Sequence, residues 1–145
     1  MLSIIEKVLF LQNIDVFDQV PSELLAMLAA ITTDIKIPKD STIYNINDHS
    51  DAMYLVLSGS VKLHIDNREI STAKSKDAFG TWALFDDSPR VVTAVTLEDT
   101  HLLKIDREEF VDLLADNVRI TQAIMKTLVQ RMRNLVNRID ISSNK

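Results

Sequence analysis

Cysteine is absent from this chain of 145 residues, and glycine and proline occur only two and three times. Without cysteine there is no disulfide framework, no thiolate zinc site and no thiol nucleophile. Histidine is scarce as well: His49, His64 and His101 are scattered and show no metal-ligand spacing. No uninterrupted apolar run reaches the roughly 18 to 20 residues that span a bilayer. Glu6 and Lys7 interrupt the N-terminal apolar stretch and no small-residue cleavage site follows, so no signal peptide is expected. Basic charge is in deficit, with 16 Lys and Arg against 21 Asp and Glu and a net charge of −5. That balance argues against general nucleic-acid binding, which depends on clustered cations neutralising phosphates. A cytoplasmic location is the expectation, for a free protein or for one domain of something larger.

Catalytic patterns are missing too. There is no Ser/His/Asp array, no paired-carboxylate cleft and no Gly-rich nucleotide loop of the G-x-G-x-x-G or G-K-[ST] type. Asp86-Asp87 and Glu108-Glu109 read as a solvated turn and a helix start, and no enzyme is expected. What remains is an ordinary globular composition, 46% hydrophobic and 26% charged, in a length that fits one domain with a real core.

The apolar pattern changes period along the chain. Ile4, Ile5, Val8, Leu9 and Leu11 suit an amphipathic helix over 3–11, broken by Asn13 and Asp15. A second helix is expected from Pro21 to about Ile31, with Pro21 in its first turn. From Asp34 the runs are short and β-like: Ile35 and Ile37, Thr42-Ile43-Tyr44, Met53 to Leu57, Val61 to Ile65, Val91 to Val95 and His101 to Ile105. Many short strands point to a barrel, sandwich or jelly roll. The last third is helical. Asp106 and Glu109 have the spacing of a capping box before Phe110, Leu113 and Leu114, and after Asp116-Asn117 a long helix runs to about Ile139.

Residues 79–95 read Phe79-Gly80-Thr81-Trp82-Ala83-Leu84-Phe85-Asp86-Asp87-Ser88-Pro89-Arg90-Val91-Val92-Thr93-Ala94-Val95. The segment resembles the phosphate-binding cassette of the cyclic-nucleotide-binding domain family, the type found in catabolite activator protein and protein kinase A regulatory subunits. That cassette usually reads F-G-E-x-A-L, a short acidic turn, then P-R-x-A-T. Met53 to Val61 also looks like the family's L-Y-x-V-x-S-G-x-V strand and turn, and the resemblance runs from about Val8 to Leu135. It implies a mainly β fold with α: a double-stranded β-helix, or jelly roll, flanked by N-terminal helices and a long C-terminal helix. One domain would fill 1–145, with the β-roll at about 34–105 and the C-terminal helices at about 106–139. Where the family usually has further glycines at turns, this chain has Lys39-Asp40, Asn47 and Lys76. Asn and Asp tolerate left-handed backbone cheaply, so two of these three turns are expected to be kept.

The resemblance implies ligand-binding roles for Gly80, Thr81, Ala83, Leu84, Arg90 and Val91. Gly80 and the N–H groups near Ala83 and Leu84 would aim at a cyclic phosphate, and Arg90 would add a fork-shaped, charge-assisted contact. Alternatively Arg90 pairs with Asp86 or Asp87. The family's glutamate accepts from the ribose 2′-hydroxyl, and Thr81 stands in its place, shorter and uncharged. Losing that contact costs roughly 1.5 to 3 kcal/mol, or about 10- to 150-fold in affinity. The expected ligand is therefore a cyclic nucleotide, cAMP or cGMP, held more weakly than the family norm. Val91 and Val92 crowd the phosphate position, and Trp82 reads as a core or lid residue or as filling ribose space.

Met125, Leu128, Met132, Leu135 and Ile139 fall at alternating three- and four-residue steps, the seam of a coiled coil, with Ile124, Val129 and Val136 widening the stripe. A homodimer through this helix is expected over a helix packed only on its own domain. The family's transcription factors continue from here into a DNA reader, whereas only Asp140 to Lys145 follow, so no direct DNA binding is expected. The family also caps the base from this helix, where the nearest residues are the apolar Leu135 and Val136. Together these readings describe a non-catalytic regulatory sensor, part of or partner to a larger output protein. The rivals are a pseudo-sensor that dimerises or docks without a nucleotide, and a cupin-like enzyme, which the histidine and acid spacing disfavours.

Overall fold

The computed structural model describes residues 2–143. Helix α1 (Ile4–Leu11) opens on a true capping box: Ser3 Oγ accepts from the Glu6 N–H at 3.2 Å and Glu6 Oε1 accepts from the Ser3 N–H at 3.3 Å. A short 3-10 helix (Asp15–Phe17) leads to α2 (Ser22–Ala30), which buries Leu24, Leu25, Leu28 and Ala29. Pro21 sits at the N-cap rather than inside the first turn, and its carbonyl accepts from Leu24 and Leu25.

Eight strands follow: β1 (Thr33–Ile37), β2 (Thr42–Tyr44), β3 (Ala52–Ser58), β4 (Val61–Ile65), β5 (Arg68–Ala73), β6 (Ala78–Phe79), β7 (Thr93–Thr96) and β8 (Thr100–Asp106). They form two antiparallel sheets, ordered β1-β8-β3-β6 and β2-β7-β4-β5. Strand β3 is apolar on both faces, and the packing shows why. Ala52, Tyr54 and Val56 point into the roll with Tyr44, Val61, Phe79 and Ala94. Met53, Leu55 and Leu57 point the other way, into a second cluster with Phe17, Leu25, Leu28, Phe110, Ile120 and Ile124. Helices α3 (Arg107–Asp116) and α4 (Val118–Ser143) complete that second layer. A strand covered on both sides reads as an unbroken apolar run.

The structure departs from the sequence expectations at further points. The strand expected from Val91 starts at Thr93, because 90–91 is held elsewhere: Asn47 donates to the Arg90 carbonyl at 2.8 Å and Arg90 to the Asp48 carbonyl at 2.9 Å. The Asp106–Glu109 capping box does not form, and the Asp106 carboxylate lies 3.5 Å from Lys104 Nζ instead. Strands β5 and β6 were not foreseen: β5 is mostly exposed and polar, and β6 is two residues long.

Among the turns, Asp40, Asn47 and Lys76 all adopt positive φ, at 62°, 73° and 79°, and Asp66 joins them at 53°. Of these Lys76 lacks a short polar side chain that eases left-handed backbone. Its N–H still holds the turn by donating to the Val56 carbonyl at 2.8 Å, a bond glycine would keep. Lys76→Gly is therefore expected to stabilise the fold by about 0.5 to 1 kcal/mol, since the relief of left-handed strain outweighs glycine's entropy cost. Thermal melting should rise by roughly 1 to 4 °C. A lower melting temperature would show that this turn carries no strain.

Candidate ligand-binding site

The site forms where β6 ends. Gly80 has φ 70° and ψ 19°, a left-handed conformation that begins a 3-10 helix over Thr81–Leu84. Glycine is favoured here on two grounds. A Cβ would lie 2.7 Å from Arg90 Nη1 and 3.3 Å from the Ala52 carbonyl, and the backbone itself disfavours a side chain. Ala83 and Leu84 are buried and anchor the turn, and Phe85 meets Phe110 of α3 edge-on at 5.8 Å. Arg107 Nη1 donates to the Asp86 carbonyl at 2.7 Å, so the C-terminal end of the turn is tied to the first residue of α3.

Arg90 lies beneath this turn, only 5% exposed. Its Nη2 donates to the Ala52 carbonyl at 2.6 Å and its Nη1 approaches the Gly80 carbonyl at 3.5 Å. The guanidinium carbon stands 4.0 Å over the Tyr44 ring, a cation–π contact. Its one ion-pair partner among the described residues is Asp51, at 3.8 Å, and that carboxylate is 63% exposed and so a weak counter-charge. Arg90 Nε is buried without a partner. A buried guanidinium held mostly by carbonyls and a π face keeps capacity for an anion. Burial pushes the Tyr44 hydroxyl above its usual pKa despite the opposing charge of Arg90. Tyr54 is pushed up by burial likewise, against Lys104 and Arg90. Both rings thus stay neutral at ordinary pH.

A cleft of about 540 Å³ opens over Arg90. Gly80, Thr81, Ala83, Arg90 and Val91 line it together, joined by Tyr44, Ser50, Leu63, Phe79, Trp82, Asp86, Ser88 and Val92. Leu84 does not line it and belongs to the helix-side cluster. The Ala83 N–H, expected to face a phosphate, is occupied by the Gly80 carbonyl at 3.1 Å. Asp86 and Asp87 do not pair with Arg90, and Asp51 takes that place. Trp82 is not a core residue: it is 73% exposed at the edge of the cleft. None of the three histidines lines the cleft, and no group of described residues could hold a metal ion. The parts that were not foreseen are Tyr44, Asp51 and the Ala52 carbonyl, all distant from Arg90 in sequence and carrying no local signal.

Helix α4 divides in two. Ile120, Ile124 and Thr127 are buried and Leu128 is partly so, packed on the helix-side cluster. On the same helix Met125, Val129, Met132, Leu135, Val136 and Ile139 are exposed. Arg131 reaches back to Asp15 at 3.8 Å. Leu135 lies beside Asp15, Asp18 and Arg138 rather than over the 540 Å³ cleft, and no described residue of α4 lines that cleft. Leu128 and Arg131 instead line a neighbouring cleft of about 500 Å³ that shares Trp82 and Thr81 with the first. Among the described residues no helix is long and apolar enough to cross a membrane.

Comparison with known proteins identifies the family. Over 129 residues the chain is 26% identical to the CRP-like cAMP-activated global transcriptional regulator of Mycobacterium tuberculosis, covering 86% of this chain and 58% of that protein. The Cyclic AMP receptor protein of Thermus thermophilus is 31% identical over 111 residues, which is 73% of this chain and 51% of the relative. The chain thus spans somewhat more than half the length of these curated relatives. The solved N-terminal domain of a transcriptional regulator from Streptomyces coelicolor A3(2) superposes with a TM-score of 0.78 at 25% identity, covering 86% of this chain and 91% of that one. Residues 34–117 match the family described as Cyclic nucleotide-binding domain. That span runs from β1 through the Gly80–Arg90 turn and into the end of α3, and by it this chain belongs to the cyclic nucleotide-binding domain family.

Proposed function

We propose that this chain is a non-catalytic regulatory domain that binds a cyclic nucleotide, cAMP or cGMP, over Arg90 and signals through α4. The observation that carries the reading is a guanidinium buried, among the described residues, without a buried counter-ion, at a cleft lined by Gly80 and Thr81. Relatives described as cAMP-activated and as a cyclic AMP receptor favour the same ligand class. The route outward is physical. Phe85 touches Phe110, Arg107 holds the Asp86 carbonyl, and α3 hands over to α4 at Asn117, whose Oδ1 accepts from the Ile120 N–H at 3.3 Å. An output protein, carried on the same polypeptide or recruited in the cytoplasm, would read the position of α4.

A second reading has its own support. Arg90 is already engaged by Ala52 and Tyr44, so the fold has a use for it without any ligand, as a pseudo-sensor would. Calorimetric titration separates the two. Thr81→Glu supplies the carboxylate that a ribose hydroxyl would donate to, and it is expected to tighten cAMP about 10-fold or more. Equal affinities for both proteins would remove the ribose account and leave occlusion by Trp82 or Val91 as the explanation. Heat-silent titrations of both proteins with cAMP and cGMP would leave the ligand-free reading standing.

A further inference from the structure

Trp82 is the single tryptophan of the chain, and the fold leaves it 73% exposed on the rim of the Arg90 cleft. Large aromatic surface left in water beside a concave site is surface available to a ligand. The second observation is the cation below it. Arg90 is more than nine-tenths buried, lines the same cleft, and its Nε lacks a partner. A molecule that satisfies both must be an anion at one end and a flat, apolar-faced body at the other.

For reading a sugar the cleft is poorly equipped by comparison. The one carboxylate lining it is Asp86, which is exposed and already accepts the Ser88 N–H at 3.1 Å. The remaining polar side chains there, besides the raised-pKa Tyr44, are the neutral hydroxyls of Ser50, Thr81 and Ser88. Neutral hydroxyl contacts discriminate weakly, whereas an aromatic platform holds any purine face.

Resting on the cyclic-nucleotide reading above, we propose that Trp82 is the base-binding residue of this site. It stacks the purine base of a cyclic monophosphate whose phosphate faces Arg90, and the 2′-hydroxyl goes unread. Recognition is thereby moved from the sugar to the base.

The lone indole makes the test direct. Tryptophan emission and calorimetry are followed on titrating the full chain with cAMP and with 2′-deoxy-cAMP, in the unmutated protein, Trp82→Ala and Trp82→Phe. Both nucleotides should quench the emission saturably, with affinities within about threefold of each other. Trp82→Ala should weaken both by about 5- to 150-fold, and Trp82→Phe should recover most of the loss. Because the side chain is exposed, Trp82→Ala should fold normally, which its melting curve checks. Deoxy-cAMP binding tenfold or more weaker than cAMP, or unchanged affinity in Trp82→Ala, would overturn the inference while leaving nucleotide binding intact. No binding of either nucleotide by the unmutated protein would remove the cyclic-nucleotide reading and this inference with it.

Discussion

Replacing Arg90 with glutamine is expected to cost at least about 100-fold in affinity for cAMP, the sum of two charge-assisted hydrogen bonds at roughly 1.5 to 3 kcal/mol each. The same change should weaken the fold. The Ala52 carbonyl, which accepts from Arg90 at 2.6 Å, would lose a buried donor, at a cost of about 1 to 3 kcal/mol. The cation–π contact with Tyr44 would go as well. Urea unfolding measures the structural loss by itself, so titrations can be run where both proteins are fully folded. Arg90→Lys should fall between the two. It keeps the charge but cannot serve the Ala52 carbonyl and a phosphate with one planar fork. Affinity of Arg90→Gln within threefold of the unmutated protein would show that the guanidinium is purely structural.

The second large effect concerns self-association. We propose that the exposed stripe of α4, formed by Met125, Val129, Met132, Leu135 and Val136, pairs with the same stripe of a second copy about a two-fold axis. Each side chain contributes roughly 1.5 to 3 kcal/mol when fully buried, so several along one helix support a stable dimer. Met132→Glu combined with Leu135→Glu should turn dimer into monomer in light scattering at tens of micromolar. The pair is chosen to spare Leu128, which is partly buried against the helix-side cluster, where a glutamate would damage the domain itself. Circular dichroism of the double variant should therefore show an unchanged fold. A monomer from the unmutated chain at that concentration would sink the dimer and leave the stripe for another partner.

Much of this was legible in the sequence where local chemistry decides the outcome. The apolar run of β3, the Gly80–Arg90 segment and the left-handed turns at Asp40 and Asn47 are set by residues at or next to the position concerned. What escaped depends on groups far apart in the chain. Arg90 finds its acceptor 38 residues away, and nothing around Asp51 or Tyr44 marks them as neighbours of a cation. Trp82 misled because size and apolarity suggest burial, while its place on a short turn at the cleft rim leaves it in water. The capping box expected at Asp106 fails for a local reason, since its carboxylate lies near Lys104 on the same strand, while a box that was not among the expectations closes at Ser3–Glu6.

Strand β3 gives alternate residues to two different apolar clusters, and this has a thermodynamic consequence. Neither cluster can be dismantled without exposing one face of the same seven-residue strand, from Ala52 to Ser58. The roll and the helical layer therefore share a single cooperative unit, and heat or denaturant meets one transition in place of two. A ligand that binds only the folded roll stabilises the helical layer by the same free energy, so occupancy of the cleft resists unfolding of the whole unit at once.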